Sequence, residues 1–163
     1  MISNILRRCV LFVAVGLLVG TSLVTYSAEP NDIVKYRQSI MLSQRGHLAA
    51  ATAIIHGKVA FKDHLSNHVK SLEATVKTIP NLFPKDSNTD DTKAQDAVWK
   101  NNAEFLKRAK VAREKAHALT KAVASGDKKN YAPRLKDLQD ACKACHKDFR
   151  KEEAAVVPKA SGA

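Results

Sequence analysis

Three residues near the carboxyl end of this 163-residue chain have the types and spacing for covalent cofactor chemistry: Cys142, Cys145 and His146. The run Cys-Lys-Ala-Cys-His matches the Cys-x-x-Cys-His pattern of c-type haem attachment. On a helix the two thiols lie one turn apart, so each can add to one vinyl group of a porphyrin. His146 follows the second thiol directly, and its imidazole can ligate the iron. The sequence therefore predicts one covalent haem c per chain.

Three other interpretations compete for the two cysteines. A thioredoxin-like dithiol pair belongs at a strand-to-helix turn, and no strand is predicted here. A zinc site needs further ligands at comparable spacing, and no second cysteine or histidine pair is present. A structural disulfide is the third alternative, since disulfides are common in exported chains. The haem interpretation fits the motif best.

The other axial ligand of the iron decides what a haem does, because a filled position favours electron transfer and an open one binds small gases. The candidates are Met41, His47, His56, His64, His68 and His117. In a bundle whose first and last helices are neighbours, Met41 lies roughly 15 Å above Asn31 and His146 roughly 10 Å above Glu153. Met41 is therefore the predicted ligand, with a core methionine as the alternative.

Neighbouring residues fit less specific roles. Arg37, one turn before Met41, is level with the predicted haem and could pair with a propionate. His47 points away from that face. His64 and His68 lie one turn apart like a metal pair, but we interpret them as part of a solvated helix face. Nothing in the sequence identifies a partner for His56 or His117.

Four helical segments are predicted between the glycines and prolines of the chain. They run from Pro30 to Gly57, with Asn31 or Asp32 as cap, and over about 61–78, 92–124 and 130–153. The inward residues of the first are predicted at two adjacent stripes: Ile33, Tyr36, Ile40, His47, Ala51 and Ile54, then Val34, Met41, Leu48 and Ile55. We expect an all-α, antiparallel up-down-up-down four-helix bundle over residues 29–153, followed by a flexible tail, 154–163.

The first 28 residues differ in composition from the rest. Arg7 and Arg8 precede an apolar run over 10–24, and small or polar residues follow, which is typical of a signal peptide cleaved after Ser27 or Ala28. An uncleaved anchor is the alternative, although the run is short for a membrane span. We predict a periplasmic protein with no stable membrane insertion.

The chain is strongly basic. Its formal net charge is +11, and losing Arg7 and Arg8 leaves +9. A nucleic-acid function fits badly, because the lysines are spread over all segments and no nucleic-acid motif is present. Steering toward acidic redox partner proteins is the expectation, and a lysine-rich solvated surface is the alternative.

The same residues resemble the class II c-type cytochromes, the cytochrome c-prime superfamily. The resemblance is carried by Val34-Lys35-Tyr36-Arg37-Gln38-Ser39, by Trp99 with Phe105, and by the run from Cys142 to Arg150. It implies a four-helix bundle with the haem near one end, Arg37 at a propionate and Arg150 close to His146. In low-spin members of the cytochrome c-556 type, which also resemble this chain over 45–50, the methionine at the place of Met41 binds the iron.

These patterns predict a low-spin electron carrier with His146 and Met41 as axial ligands, and no catalytic residue. The alternative is a five-coordinate cytochrome c-prime that binds NO or CO, with Met41 and Ile40 crowding the distal haem face. A metal-stress protein using the six histidines is a remote third. The resemblance also implies a possible homodimer through the first two helices.

Overall fold

A computed structural model of the protein describes residues 28–152, which fold mostly as α-helices. The helices are α1 (Pro30–Ile55), α2 (Leu65–Thr78), the single turn α3 (Ala97–Lys100), α4 (Asn102–Ala124) and α5 (Tyr131–Phe149). α1 packs on α2, α2 on α4, and α4 on α5, which gives the predicted four-helix bundle. The predicted signal peptide, apart from Ala28, and the predicted tail lie outside the described residues.

The predicted apolar faces of α2 and α4 are confirmed. The buried core residues are Leu65, Val69, Leu72 and Val76 of α2, and Phe105, Ala109, Ala112, Ala116 and Leu119 of α4. Their spacings of three and four residues place them on one side of each helix. Across residues 28–152, no helix has an apolar stretch long enough to cross a membrane.

α1 begins and ends close to the predicted positions. Pro30 occupies its first turn, where the missing N–H is no loss, and the cap is Glu29 rather than Asn31 or Asp32. At its carboxyl end Gly57 has a φ of +68°, a conformation that favours glycine and allows the chain to leave the helix. One inward prediction for α1 is wrong: Tyr36 is 59% exposed.

The predicted third helix starts later than expected and is interrupted. Instead of one helix from Thr92, the chain is irregular to Asp96, forms α3, breaks at Asn101 and continues as α4. No helix begins at Thr92, because this segment is tied to distant parts of the chain: the hydroxyl of Thr92 accepts a hydrogen bond from Arg37, and Ala94 forms a backbone bridge with Arg150. Tertiary contacts override the local helix preference of this segment.

The end of α5 also differs from the prediction and contacts the irregular segment before α3. α5 ends at Phe149 rather than Glu153, because Arg150 is extended and forms an antiparallel bridge with Ala94. The amide of Gln95 donates to the carbonyl of Phe149 over 3.0 Å, and the amide of Lys151 donates to the carbonyl of Lys93 over 2.8 Å. The segment before α3 is thus hydrogen-bonded to the carboxyl end of α5.

Candidate haem site

A cavity of about 720 Å³ lies inside the bundle, lined by α1 and α5 and also by residues of α2, α4 and the connection between them. Cavities of 300 to 1,000 Å³ are typical of cofactor sites. α1 and α5 meet beside it where the side-chain amide of Gln139 donates to the hydroxyl of Thr52 over 3.2 Å. The cavity is therefore large enough for a cofactor, and the first and last helices both contribute to its wall.

All three residues of the attachment motif line this cavity. Cys142, Cys145 and His146 lie in the last two turns of α5, and both thiols are free rather than disulfide-bonded. Both cysteines also pack against the apolar core. The thiols and the imidazole therefore face one common space, which two thioether bonds and one iron ligand require.

The two thiols are held neutral. Burial raises the pKa of Cys142, and burial together with the neighbouring Cys142 raises the pKa of Cys145 to about 11, although Arg108 opposes this rise. Reactive redox cysteines have a pKa below the ordinary value, because the thiolate is the nucleophile. The raised pKa values argue against a reactive dithiol redox pair, and the role as attachment points rests on the motif and on the position of both thiols at the cavity.

The surroundings of His146 lower the pKa of its imidazole. Although the residue as a whole is exposed, partial burial of the ring and the positive charge of Arg150 both lower its pKa. A neutral imidazole keeps a nitrogen lone pair for the iron. The predicted closeness of Arg150 to His146 thus has an electrostatic consequence in the structure.

Met41 of α1 lines the same cavity and is partly buried against the core. None of the five histidines that were considered as the second axial ligand lines it within the described chain. Ile40 does not line it either, because it is turned by about 100° from Met41 in the direction away from Leu42, which does line the cavity. The expectation that Ile40 crowds the haem face is therefore not supported by its position.

Arg37 is buried at the cavity wall and acts as a clamp on the connection between α2 and α3. Its guanidinium donates to the hydroxyl and the carbonyl of Ser87 over 2.8 and 2.7 Å, to the hydroxyl of Thr92 over 2.6 Å, and to the carbonyl of Leu82 over 3.3 Å. Burial lowers its pKa. All four acceptors are neutral, so the predicted pairing of Arg37 with a propionate stays a prediction.

The wall of the cavity is positively charged. Arg37, Arg45, Lys93, Lys143 and Arg150 contribute to it, and none of its described residues is Asp or Glu. Such a wall suits an anionic guest, since a charge entering a partly buried site needs opposite charges near it. A haem carries two propionates, so the donor set fits the group that the cysteine motif implies.

Gln44 supplies a second observation that fits an occupied cavity. Its amide nitrogen Nε2 is buried at the wall and has no hydrogen-bond partner in the described residues. Leaving a buried donor unpaired costs about 1–3 kcal/mol. A guest that brings an acceptor oxygen into the cavity would remove this cost.

Sequence reasoning missed the residues that shape the cavity. Phe83, Phe105 and Phe149 line it. Phe105 contacts both of the others edge to face, with its ring centroid 4.9 Å from that of Phe83 and 5.5 Å from that of Phe149. Ala109 and Ala112 leave room where larger side chains would fill it. The inward position of the α4 residues was predictable from their spacing, but nothing local distinguishes a residue beside a cavity from one in a packed core.

Comparison with known proteins identifies the family. The sequence profile of the family described as Cytochrome C' matches residues 32–150. Cytochrome c' of Rhodospirillum rubrum is 28% identical over 89% of this chain and 99% of its own. Cytochrome c-556 of Agrobacterium tumefaciens is 29% identical over 72% of this chain and 95% of its own.

Solved structures share the fold. Cytochrome c prime from Shewanella frigidimarina superimposes with a TM-score of 0.72 at 26% identity, covering 78% of this chain and all of its own. A nitric oxide complex of a variant from Alcaligenes xylosoxidans has a TM-score of 0.73 at 24% identity, with the same coverage. The family match spans both walls of the cavity and the complete attachment motif. The chain is therefore a mono-haem c-type cytochrome and belongs to the cytochrome c' family.

Proposed function

We propose that this cytochrome works in the periplasm as a five-coordinate haem protein that binds a small diatomic molecule, such as NO or CO, on the side of the haem away from His146. The observation that carries the proposal is the match to the cytochrome c' family over residues 32–150, cavity walls included. The cytochrome c' relative from R. rubrum also covers more of this chain than the cytochrome c-556 relative does. Ligand binding is the interpretation that these relatives favour over the predicted electron carrier.

The residues of this chain have separate tasks in that function. Cys142 and Cys145 hold the cofactor, and neutral His146 offers a nitrogen to the iron. Leu48, Leu72 and Ile79 line the cavity with apolar surface that suits a neutral diatomic guest. The haem, when bound, supplies an iron that takes up a small axial ligand or one electron. We assign no residue a catalytic role.

A low-spin electron carrier is the second candidate, and the position of Met41 favours it. Of the six side chains considered as the second axial ligand, Met41 alone lines the cavity in the described residues. A thioether ligand stabilises ferrous iron and raises the reduction potential. The two candidates therefore differ in one bond, between the sulfur of Met41 and the iron.

That bond can be tested with unusual selectivity. The chain contains two methionines, and Met1 falls in the predicted signal peptide, so the mature protein carries one. Under the proposal, absorption spectra show high-spin haem in both oxidation states, the ferrous protein binds CO readily, and Met41→Ala leaves the axial spectrum unchanged. In protein labelled with ¹³C at the methionine methyl group, the single NMR signal then lies outside the range of an iron-bound thioether.

Leu48→Ala is the matched control, because Leu48 lines the same wall of α1 without a ligating atom. A sulfur-to-iron charge-transfer band in the ferric protein that persists in Leu48→Ala and disappears in Met41→Ala overturns the proposal and establishes the electron carrier.

We also propose acidic redox proteins as partners of this basic chain, with a homodimer as a further assembly to test. Exposed charges more than a Debye length apart are screened by salt. Electron transfer to an acidic partner should therefore slow as ionic strength rises, and an unchanged rate argues for a merely solvated surface.

A further inference from the structure

Two histidines from different helices face each other outside the haem cavity. The Nδ1 atoms of His47 in α1 and His68 in α2 are 3.1 Å apart, and both residues are partly buried. Their ring centroids are 5.4 Å apart, with the ring planes tilted by 51°. Neither residue lines the haem cavity. This pair is therefore independent of the haem and of the proposed function.

The separation of the two nitrogens matches the bite of one metal ion. Imidazole nitrogens bind Zn²⁺ at about 2.0–2.1 Å, so nitrogens 3.1 Å apart subtend an angle of about 98° at a shared ion. This angle lies between those of square-planar and tetrahedral coordination. The 3.1 Å contact is a hydrogen bond in which one Nδ1 carries the proton, so an ion that binds both nitrogens replaces this hydrogen bond and the proton moves to the other nitrogen of that ring.

The sequence analysis placed His64 and His68 together on a solvated helix face, and the structure separates their environments. His64, one turn before His68, stacks on Phe61 and lies 3.6 Å from a carboxylate oxygen of Asp63, whereas His68 pairs with His47. Among residues 28–152, no group of three or more metal-ligating side chains occurs, so the pair offers two protein ligands. Water would complete the coordination of an ion bound there.

We propose that His47 and His68 form a two-histidine site for a divalent first-row transition metal ion. Imidazole ligands favour copper, zinc and nickel over the harder magnesium and calcium, and affinity among divalent ions peaks at copper. The site binds Cu²⁺ more tightly than Zn²⁺ and bridges α1 to α2.

The test is calorimetric titration of the ferric holoprotein with Cu²⁺ and, separately, with Zn²⁺. We expect one ion per chain, and affinity at least tenfold lower in His47→Gln and in His68→Gln. Glutamine keeps a polar side chain with good helix propensity, so both variants retain the fold, which circular dichroism checks. Haem absorption, monitored throughout, should stay unchanged because the pair lies outside the cavity.

His56→Gln and His64→Gln are the matched controls, since both remove a histidine next to the same two helices and leave the pair intact. They should bind both metals like the unmodified protein. Equal affinity in all four variants, or a larger loss in a control than in His47→Gln, overturns the site. A stoichiometry of one ion per two chains overturns chelation within one chain.

Discussion

The two ends of the helix bundle differ in how completely the protein fills its own interior. At one end, the packed side, Leu119 of α4 and Leu135 of α5 are 1% exposed and belong to one continuous core. At the other end, the open side, Met41 and Leu48 of α1 are only partly buried and border the cavity. The packed side is filled by its own side chains, whereas the open side surrounds a space that a guest molecule can occupy.

Residue size on α4 contributes to this difference. Leu119 fills the space towards one end of the helix, and Ala109 and Ala112 leave space towards the other. Ala116 is equally small but is buried without lining the cavity, so alanine alone does not create the space. Helical periodicity places all four residues inward and therefore does not locate the cavity. The same hydrophobic pattern therefore occurs both in the packed core and beside the cavity.

The largest expected effect is on the open side, where the double variant Cys142→Ala/Cys145→Ala should lose covalent haem completely. No other described cysteine lines the cavity, so no thioether can form. Haem staining of a denaturing gel measures the loss, and each single variant, retaining one thiol, should still stain. A stained band from the double variant would contradict the assignment of the attachment site.

Adding volume should affect the two sides differently. Ala112→Leu places three extra carbon atoms in the cavity wall, so haem content per chain should fall several-fold while the apolar contacts elsewhere persist. Ala116→Leu, its matched partner, overpacks a buried position that does not line the cavity, so unfolding free energy should fall by about 1–3 kcal/mol.

Haem absorbance per folded protein and denaturant unfolding separate the two outcomes. If Ala116→Leu lowers haem content as much as Ala112→Leu does, the distinction between a packed side and an open side is wrong.

Arg37→Lys should loosen the connection over 82–92 at the wall of the cavity. Lysine cannot reproduce four hydrogen bonds from one planar guanidinium, and buried acceptors at Leu82, Ser87 and Thr92 would lose partners. We expect unfolding free energy to fall by about 2–3 kcal/mol, with faster amide exchange in the connection over 82–92. Arg45→Lys, at an exposed cation of the same cavity, should leave both unchanged.

The smallest effect concerns Glu73, on the packed side between α2 and α4. Burial alone would raise its pKa, but hydrogen bonds from Lys77, Thr120 and His117 outweigh burial and lower it. A lowered pKa in the folded state stabilises the protein above the carboxylate's ordinary pKa, and this stability is lost as the pH falls through the folded value.

Glu73→Gln should therefore lower unfolding free energy by about 1 kcal/mol at pH 7 and by progressively less as the pH is lowered from 5 to 3. Denaturant unfolding across that range gives the difference between variant and unmodified protein. Glu114→Gln, which removes an exposed carboxylate near Lys110, should show no such difference. A Glu73→Gln effect that does not vary with pH would place its cause in packing instead.

Local patterns in the sequence were sufficient for the bundle and the attachment side of the site. Spacings of three and four residues gave the buried faces of α2 and α4, and three residues in one turn gave the haem motif. Local patterns could not predict contacts between residues that are far apart in the chain. The partners of Arg37 lie 45 to 55 residues away, and they account for the late start of α3.

The same limit applies to α1. Apolar residues occupy more than half of the circumference of α1. Their periodicity alone therefore could not show that Tyr36 is exposed or that Ile40 does not line the cavity. His47 and His68 are 21 residues apart, and only tertiary packing brings them together.

The position of the haem motif on the final helix has a consequence for the making of the protein. A ribosome synthesises α1, α2 and α4 before Cys142 exists, so three of the four long helices are available before either bond to the cofactor can form. A chain shortened anywhere before Cys142 lacks both attachment points. Only chains that have been translated through Cys145 in α5 can therefore carry haem on both cysteines.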